Sequence, residues 1–264
     1  MKLTDEAFFH SYRIKFSDIS ENGTLRPSHL LDYLQDLSMI HSGFCGYDSD
    51  YFVAHETAWA IIFWHIEIET LPRENEVIEL STWDKQLKRT QAHREIEAHS
   101  RDGRRCCRAY ARNVLTDTAR HRPKPITPDF FAPYYFPVER PFPDAEMPTS
   151  VPLPDREPDF TAALTVQRSD LDPSGHVNNA VYLDWAENCV PDEIYNHRRL
   201  ADIKIMYKHE CFRGTRLALC CTIEPLNGEE AEAGAQRLTV AFRDGGEKEE
   251  QAGRLYAAVA MEWR

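Results

Sequence analysis

Hydrophobic residues recur with a helical period near the start of the chain. They are spaced by three or four residues and share one helical face: Leu30, Leu31, Leu34, Leu37 and Ile40. Pro27 and Ser28 favour a helix start just before them, and Gly43 and Gly46 favour its end. The pattern predicts one amphipathic helix.

After this helix the chain alternates apolar and polar residues, as half-buried strands do. The alternation predicts strands at residues 62–68, 76–83, 92–99 and 104–116. The second half repeats the plan, with a helix that stops at Pro191 and carries Val181, Tyr182, Trp185 and Cys189. Its strands are predicted at residues 203–207, 216–223, 237–242 and 254–263. A helix followed by antiparallel strands, repeated once, is an α+β plan.

An internal repeat supports this division into halves. A shift of 152 residues places residues 17–25 on residues 169–177, and the match continues without a gap to residues 31–33 and 183–185. Five of the paired positions are identical. The sequence therefore predicts two copies of one domain.

A proline-rich stretch separates the two copies. Eleven of the sixteen prolines lie between Pro123 and Pro158, and because proline lacks a backbone N–H it cannot join an interior strand. The middle of this stretch, FFAPYYF, is apolar enough to lie against the protein surface. We expect an N-terminal domain at 1–122, an extended linker at 123–158 and a C-terminal domain at 159–264.

The charge of the chain disfavours some classes of function. The formal net charge is −12, which disfavours a general nucleic-acid or membrane-surface binder. The segment 88–124 is an exception, since it holds eleven lysines and arginines against four acids. This segment is either the solvated face of two strands or a docking surface for an acidic partner.

The cysteines and the apolar runs indicate the compartment. None of the seven cysteines shows a zinc-type spacing, and four of them form the adjacent pairs Cys106-Cys107 and Cys220-Cys221. No apolar run approaches the ~20 residues of a membrane span, and the first residues do not resemble a signal peptide. We expect a cytoplasmic protein with reduced cysteines.

The segment 168–182 carries the sharpest chemical signal. Asp172-Pro173-Ser174-Gly175 is typical of a turn, so the chain reverses there and brings His176 just before the second helix. The first N–H groups of a helix have no internal partner and carry partial positive charge. A carbonyl placed there would be polarised, and an oxyanion formed on it would be stabilised. Asp172 and His176 beside this helix start predict a catalytic site.

The motif DPSGHVNN at residues 172–179 resembles that of the hotdog-fold thioesterases, and the doubled plan is similar to the acyl-acyl carrier protein thioesterase family. A second landmark of that family matches residues 207–211, YKHEC, so the resemblance covers nearly the whole chain. It implies a tandem hotdog, in which two antiparallel sheets each wrap around a long helix.

The resemblance also implies the site residues. The catalytic groups would be Asp172 and His176 from the turn and Glu210 from the next strand. Supporting positions would be Ser174, Asn178 and Asn179. The family usually has an asparagine where this chain has Ser174, whose hydroxyl is shorter and offers one polar atom where an amide offers two. No cofactor and no metal is expected.

The first copy lacks these groups. Ser20 and Thr24 align with Asp172 and His176, and an offset of 140 between the later strands places Thr70 opposite Glu210. We therefore expect the first copy to supply the acyl pocket, from residues such as Trp59, Phe63 and Trp64. The alternative is that these aromatic residues are ordinary core.

The expected mechanism uses two carboxylates and one imidazole. Glu210 or Asp172 acts as general base on water, or attacks directly to give a transient anhydride; a carboxylate suits the base role if burial raises its pKa above about 4. His176 positions the base or the water and assists departure of the thiolate. Cys211 is a competing nucleophile, but strand alternation would point it away from the site if Glu210 faces it.

The resemblance implies hydrolysis of acyl-acyl carrier protein to a free fatty acid and the holo carrier. The carrier is acidic, so the basic segment 88–124 favours it as the partner. The alternatives are an acyl-CoA thioesterase and a non-catalytic acyl-binding hotdog protein, which Ser174 favours; a hotdog dehydratase fits less well. We expect a monomer or homodimer, with no nucleic-acid partner and no membrane insertion.

Overall fold

Each predicted amphipathic helix packs on antiparallel strands of its own unit. The computed structural model describes residues 2–3, 7–136, 148–226, 234–246 and 253–264, without the side chains of 2–3 and 85–87. The chain forms two compact units, Met1–Met147 and Pro148–Arg264.

The first unit contains one long helix, α1, at Pro27–Phe44. Its leucines at 30, 31, 34 and 37 are buried, as the hydrophobic period predicts. The helix continues through Gly43 and ends just before Gly46, whose φ of +86° allows the left-handed turn that terminates it. Two short helices follow, α2 at Ser49–Ala54 and α3 at Pro128–Phe131.

The strands of the first unit form a single antiparallel sheet in the order β1-β2-β4-β5-β6-β3, with β7 paired to β6. They are Lys2–Leu3 (β1), Phe8–Arg13 (β2), Thr57–Ile68 (β3), Val77–Lys88 (β4), Gln91–Ser100 (β5), Arg105–Asp117 (β6) and Arg122–Pro123 (β7). The helix packs on this sheet, where the His41 ring stacks on Phe8 of β2 with centroids 4.9 Å apart.

The second unit repeats this plan with fewer strands, in the order β9-β12-β11-β10-β8. They are Phe160–Thr165 (β8), Leu200–Tyr207 (β9), Arg216–Pro225 (β10), Gln236–Asp244 (β11) and Leu255–Trp263 (β12). Its helix α4 is Asn179–Glu187, and the short α5, Asp192–Tyr195, follows Pro191. Tyr182 of α4 meets Phe242 of β11 edge-on, with centroids 5.2 Å apart. The predicted α+β class and tandem hotdog are confirmed.

The proline-rich stretch is divided differently from our expectation of a connector at 123–158. Its first part belongs to the core of the first unit, where Ile126, Phe131, Tyr134 and Phe136 are buried. Burial of these apolar side chains holds the segment against the sheet, so it is not an extended connector. Residues 137–147 of the expected linker lie outside the described residues.

Candidate active site

A short 3₁₀ turn, Arg168–Asp170, leads from β8 into the site. The Asp170 carboxylate accepts a hydrogen bond from the Gln167 N–H at 2.6 Å. The Asp170 carbonyl accepts another from the Asn178 N–H at 2.9 Å. One residue therefore ties together both ends of the loop that carries the predicted catalytic groups.

Residues 172–176 form a tight reversal within that loop. The Asp172 N–H donates to the His176 carbonyl at 2.9 Å, and the Gly175 N–H donates to the Asp172 carbonyl at 3.0 Å. Gly175 has a φ of +87°, a left-handed conformation that glycine adopts without strain. The Ser174 N–H donates to Asp172 Oδ1 at 2.8 Å, so the turn also orients the carboxylate.

The two predicted supporting asparagines begin helix α4. Asn178 is the N-cap, and its side-chain oxygen accepts from the Ala180 N–H at 3.0 Å. Asn179 is the first helical residue, and its carbonyl accepts from the Tyr207 hydroxyl of β9 at 2.9 Å. Asn178 therefore caps the helix start. The Tyr207 contact, which holds the helix start to the sheet, is not visible in the sequence pattern.

Glu210 lies in the loop after β9, so the prediction that it lies on a strand is wrong. Strand β9 ends at Tyr207. The N–H groups of Lys208 and His209 both donate to the Tyr256 carbonyl, at 2.8 and 3.2 Å, and this doubling breaks the register of the ladder.

The same loop is nevertheless held against the turn. The Val177 N–H donates to the Cys211 carbonyl at 2.9 Å, and His176 forms an isolated bridge with Phe212. These backbone contacts place Glu210 beside the imidazole without a continuous strand.

The structure brings the three predicted catalytic side chains together around the His176 ring. His176 Nδ1 lies 3.7 Å from Asp172 Oδ1, and His176 Nε2 lies 3.8 Å from Glu210 Oε1. Both distances exceed a normal hydrogen bond and are short enough for charge interaction. The Glu210 side chain is 60% exposed and that of Asp172 is 30% exposed, so water reaches both carboxylates.

Cys211 does not share this site. Its side chain is 1% exposed, and burial raises the pKa of its thiol. A buried thiol with a raised pKa is a poor nucleophile. Burial of Cys211 agrees with the expectation that it points away from the site, although the residue lies in a loop and not on an alternating strand.

The first unit contains the same turn without the same chemistry. Ser20 and Thr24 occupy the positions of Asp172 and His176. The Leu25 N–H donates to the Pro72 carbonyl at 2.8 Å, which is the counterpart of the bond from Val177 to Cys211. That bond places Leu71 opposite Glu210, so our alignment of Thr70 with Glu210 is wrong by one residue.

The aromatic residues proposed for an acyl pocket are part of the first unit's core. Phe63 and Trp64 are fully buried. Trp59 is partly buried and packs against the cluster that contains Phe131 and Tyr134. The burial of Phe63 and Trp64 agrees with the ordinary-core alternative, and an acyl pocket in the first unit stays a prediction.

Acidic residues from outside the basic segment 88–124 neutralise part of its positive charge. Four acids from outside the segment pair with its arginines: Asp84 with Arg94, Glu67 with Arg108, Glu69 with Arg105 and Glu76 with Arg104. Among the residues with described side chains, these four pairs offset four of the seven excess positive charges. The favourable field for an acidic partner is correspondingly weaker.

Sequence models of known families cover most of the chain. A model of the acyl-ACP thioesterase N-terminal domain matches residues 5–134, and a model of the C-terminal domain matches residues 154–264. The fold agrees with this match. The chain belongs to the acyl-ACP thioesterase family.

The curated relatives that the chain matches have low sequence identity to it. The chain is 27% identical over 227 residues to oleoyl-acyl carrier protein thioesterase 1 of Arabidopsis thaliana, a match that covers 79% of this chain and 62% of that protein. It is 22% identical over 239 residues to a dodecanoyl-[acyl-carrier-protein] hydrolase of Cinnamomum camphora, covering 86% and 61%. Both relatives are chloroplastic. The matches thus span about three fifths of the length of these relatives.

Two solved structures share the fold over the full length of the chain. The 12:0-ACP thioesterase of Umbellularia californica aligns with a TM-score of 0.83 at 20% identity, covering 100% of this chain and 99% of that one. An acyl-ACP thioesterase of Bacteroides thetaiotaomicron aligns with a TM-score of 0.83 at 17% identity, covering 99% and 100%. At these identities the likeness establishes the fold.

Within the described ranges, no helix combines the length and the apolar composition that a membrane span requires.

Proposed function

We propose that this chain hydrolyses the thioester of an acyl-acyl carrier protein and releases a free fatty acid, and we expect it to act in the cytoplasm. The observation that carries the proposal is the placement of His176 between two carboxylates at the start of α4. Family membership supports the same reaction.

The two carboxylates suit different roles. Asp172 Oδ1 already accepts the Ser174 N–H, which fixes Asp172 in the turn and favours it as the group that orients the imidazole through Nδ1. Glu210 sits on a loop and faces Nε2, which favours it as the general base for water or as the nucleophile. Because Glu210 is exposed in the free protein, a bound substrate would have to exclude solvent around it.

The start of α4 supports an oxyanion site with few donors. The Asn178 side chain takes the Ala180 N–H, and the Asn178 carbonyl takes the Val181 N–H at 3.1 Å. Among the described hydrogen bonds of this first turn, none uses the Asn179 N–H. We assign the Asn179 N–H as the donor to the thioester oxygen, where the helix dipole adds to its effect.

The test is release of free thiol from acyl-acyl carrier protein by the full chain and by Glu210→Ala and Asp172→Asn. Each substitution should lower kcat by about 10²- to 10⁴-fold, as loss of a general base or of its orientation does, with an unchanged melting temperature. Glu193→Ala, an exposed carboxylate at the start of α5, is the matched control and should keep full activity. Full activity in both site variants would refute the assignment.

The choice of carrier is tested with matched acyl-acyl carrier protein and acyl-CoA substrates. Turnover of the carrier-protein substrate should fall at high salt, because its acidic surface is attracted by the basic segment 88–124. Faster, salt-insensitive turnover of acyl-CoA would show that CoA is the carrier. Tight acyl binding without thiol release from either substrate would identify a binding protein.

A further inference from the structure

The loop that carries Glu210 also places an aromatic ring against the imidazole. Phe212 meets His176 edge-on, with ring centroids 6.1 Å apart and planes inclined by 73°. Phe212 is 52% exposed. It is therefore an apolar surface that borders the charged groups of the site.

Exposure alone would mean little, because isolated apolar residues are common on protein surfaces. Phe212 differs because the backbone holds it in one place. Its neighbour Cys211 is buried and accepts the Val177 N–H, while the Phe212 carbonyl accepts the Thr215 N–H at 3.1 Å. The loop thus directs Cys211 into the core and keeps Phe212 at the edge of the site beside His176.

The repeat provides an internal comparison. The Leu25 to Pro72 bond matches the Val177 to Cys211 bond, so the residue in the position of Phe212 is Arg73. In this pair of turns the aromatic ring occurs where the imidazole and carboxylates occur, and a charged side chain replaces it where they do not. This correlation favours a role in the site over a role in the fold.

We propose that Phe212 is a substrate-contact residue that binds the apolar stretch next to the thioester and, with substrate in place, screens His176 and Glu210 from water. This inference rests on the proposed thioester hydrolysis. The rest of the site offers carboxylates, an imidazole and backbone N–H groups, none of which binds a hydrocarbon chain. An apolar ring in contact with the imidazole supplies that missing surface and lowers the local access of solvent.

The test compares Phe212→Ala with Phe212→Leu, using acyl-acyl carrier protein as substrate. Loss of half-exposed apolar contact should raise KM of the alanine variant by about tenfold, with a smaller change in kcat. The leucine variant, which keeps apolar bulk, should recover most of the affinity. Phe160→Ala is the matched control, since Phe160 is a 38% exposed phenylalanine on β8 of the same unit, and it should leave KM unchanged.

Two substrate arms identify the contacted stretch. If Phe212 binds the acyl chain, the penalty of the alanine variant appears with an octanoyl substrate and disappears with an acetyl substrate. If it binds the pantetheine arm, the penalty is equal for both. An unchanged KM for Phe212→Ala with both substrates, or equal impairment in Phe212→Leu and Phe212→Ala, would overturn the proposal.

A non-hydrolysable octanoyl thioether of pantetheine separates this proposal from the proposed reaction. If the wild-type chain releases no thiol from any thioester, the hydrolytic function fails. The contact proposal still stands if Phe212→Ala weakens binding of the thioether about tenfold relative to wild type and to Phe160→Ala. Equal binding by all three proteins would overturn it.

Discussion

The turns before α1 and α4 share one backbone and differ in chemistry. In the first, the Ser20 N–H donates to the Thr24 carbonyl at 2.8 Å; in the second, the Asp172 N–H donates to the His176 carbonyl at 2.9 Å. The reversing glycine of the first turn has a φ of +80°, against +87° for its counterpart in the second. The two copies therefore preserve a loop geometry that is independent of the groups it carries.

The side chains on this common frame separate the two units. The first turn presents two hydroxyls, and Leu71 lies where the second unit has Glu210. The turn, the 3₁₀ segment before it and the bond to the following loop form a scaffold that both units share. The 3₁₀ segment is Phe16–Asp18 in the first unit and Arg168–Asp170 in the second. Under the proposed function, three side chains at equivalent positions distinguish the second turn from the first.

The largest expected effect comes from removing the imidazole. His176→Ala should lower kcat for acyl-acyl carrier protein by about 10²- to 10⁴-fold, because the imidazole lies between the two carboxylates. Thr24→Ala changes the equivalent position of the first unit and should leave turnover within about twofold of wild type, as surface changes away from a site usually do. Initial rates at saturating substrate measure both. Comparable losses in the two variants would mean that the first turn also takes part in catalysis.

A smaller effect should be shared by both turns. Gly23→Ala and Gly175→Ala each place a side chain at positive φ, where the free energy of unfolding should fall by about 1–2 kcal/mol. A Cβ would meet no atom within 4 Å at either position, so backbone strain is the cause. Urea unfolding measures the loss. Only Gly175→Ala should also reduce turnover, since Gly175 precedes His176; equal turnover in the two variants would contradict a shared frame with separate chemistry.

The sequence predicts the regular elements well because their signals are local. The four buried leucines define α1, and alternation locates strands such as β5 and β6 to within a few residues. The turn is also predictable, because Asp172 and Gly175 have strong conformational preferences. These features depend on neighbours in the chain.

The parts that the sequence does not predict depend on distant contacts. At the end of β9 the Tyr256 carbonyl accepts hydrogen bonds from two successive N–H groups. The regular strand pairing stops there, so Glu210 lies in a loop. Phe131 and Tyr134 join the first core although the surrounding prolines indicate a linker. The position of Phe212 against His176 follows from pairing across two loops, which no local pattern encodes.

The smallest predicted effect separates the aspartates of the two 3₁₀ turns. Asp18 is buried, which by itself would raise its pKa, but hydrogen bonds from the Tyr33 and Ser17 hydroxyls and the Lys15 N–H outweigh burial and hold the pKa of Asp18 below its usual value. Asp170 lies in the matching turn.

Asp18→Asn should therefore reduce the free energy of unfolding at neutral pH by about 1 kcal/mol, the net value of a typical hydrogen bond. A carboxylate with a lowered pKa stabilises the fold above its unfolded pKa of about 3.9, and that contribution disappears as the pH falls through the lower folded value. The difference between wild type and Asp18→Asn should thus be full at pH 7 and shrink below about pH 4. Urea unfolding at several pH values measures it. Asp170→Asn is the matched control and should cost less, because Trp185 takes the place of Tyr33 and has no hydroxyl. An equal cost in both variants would assign the stabilisation to the backbone and serine hydrogen bonds that the two aspartates share.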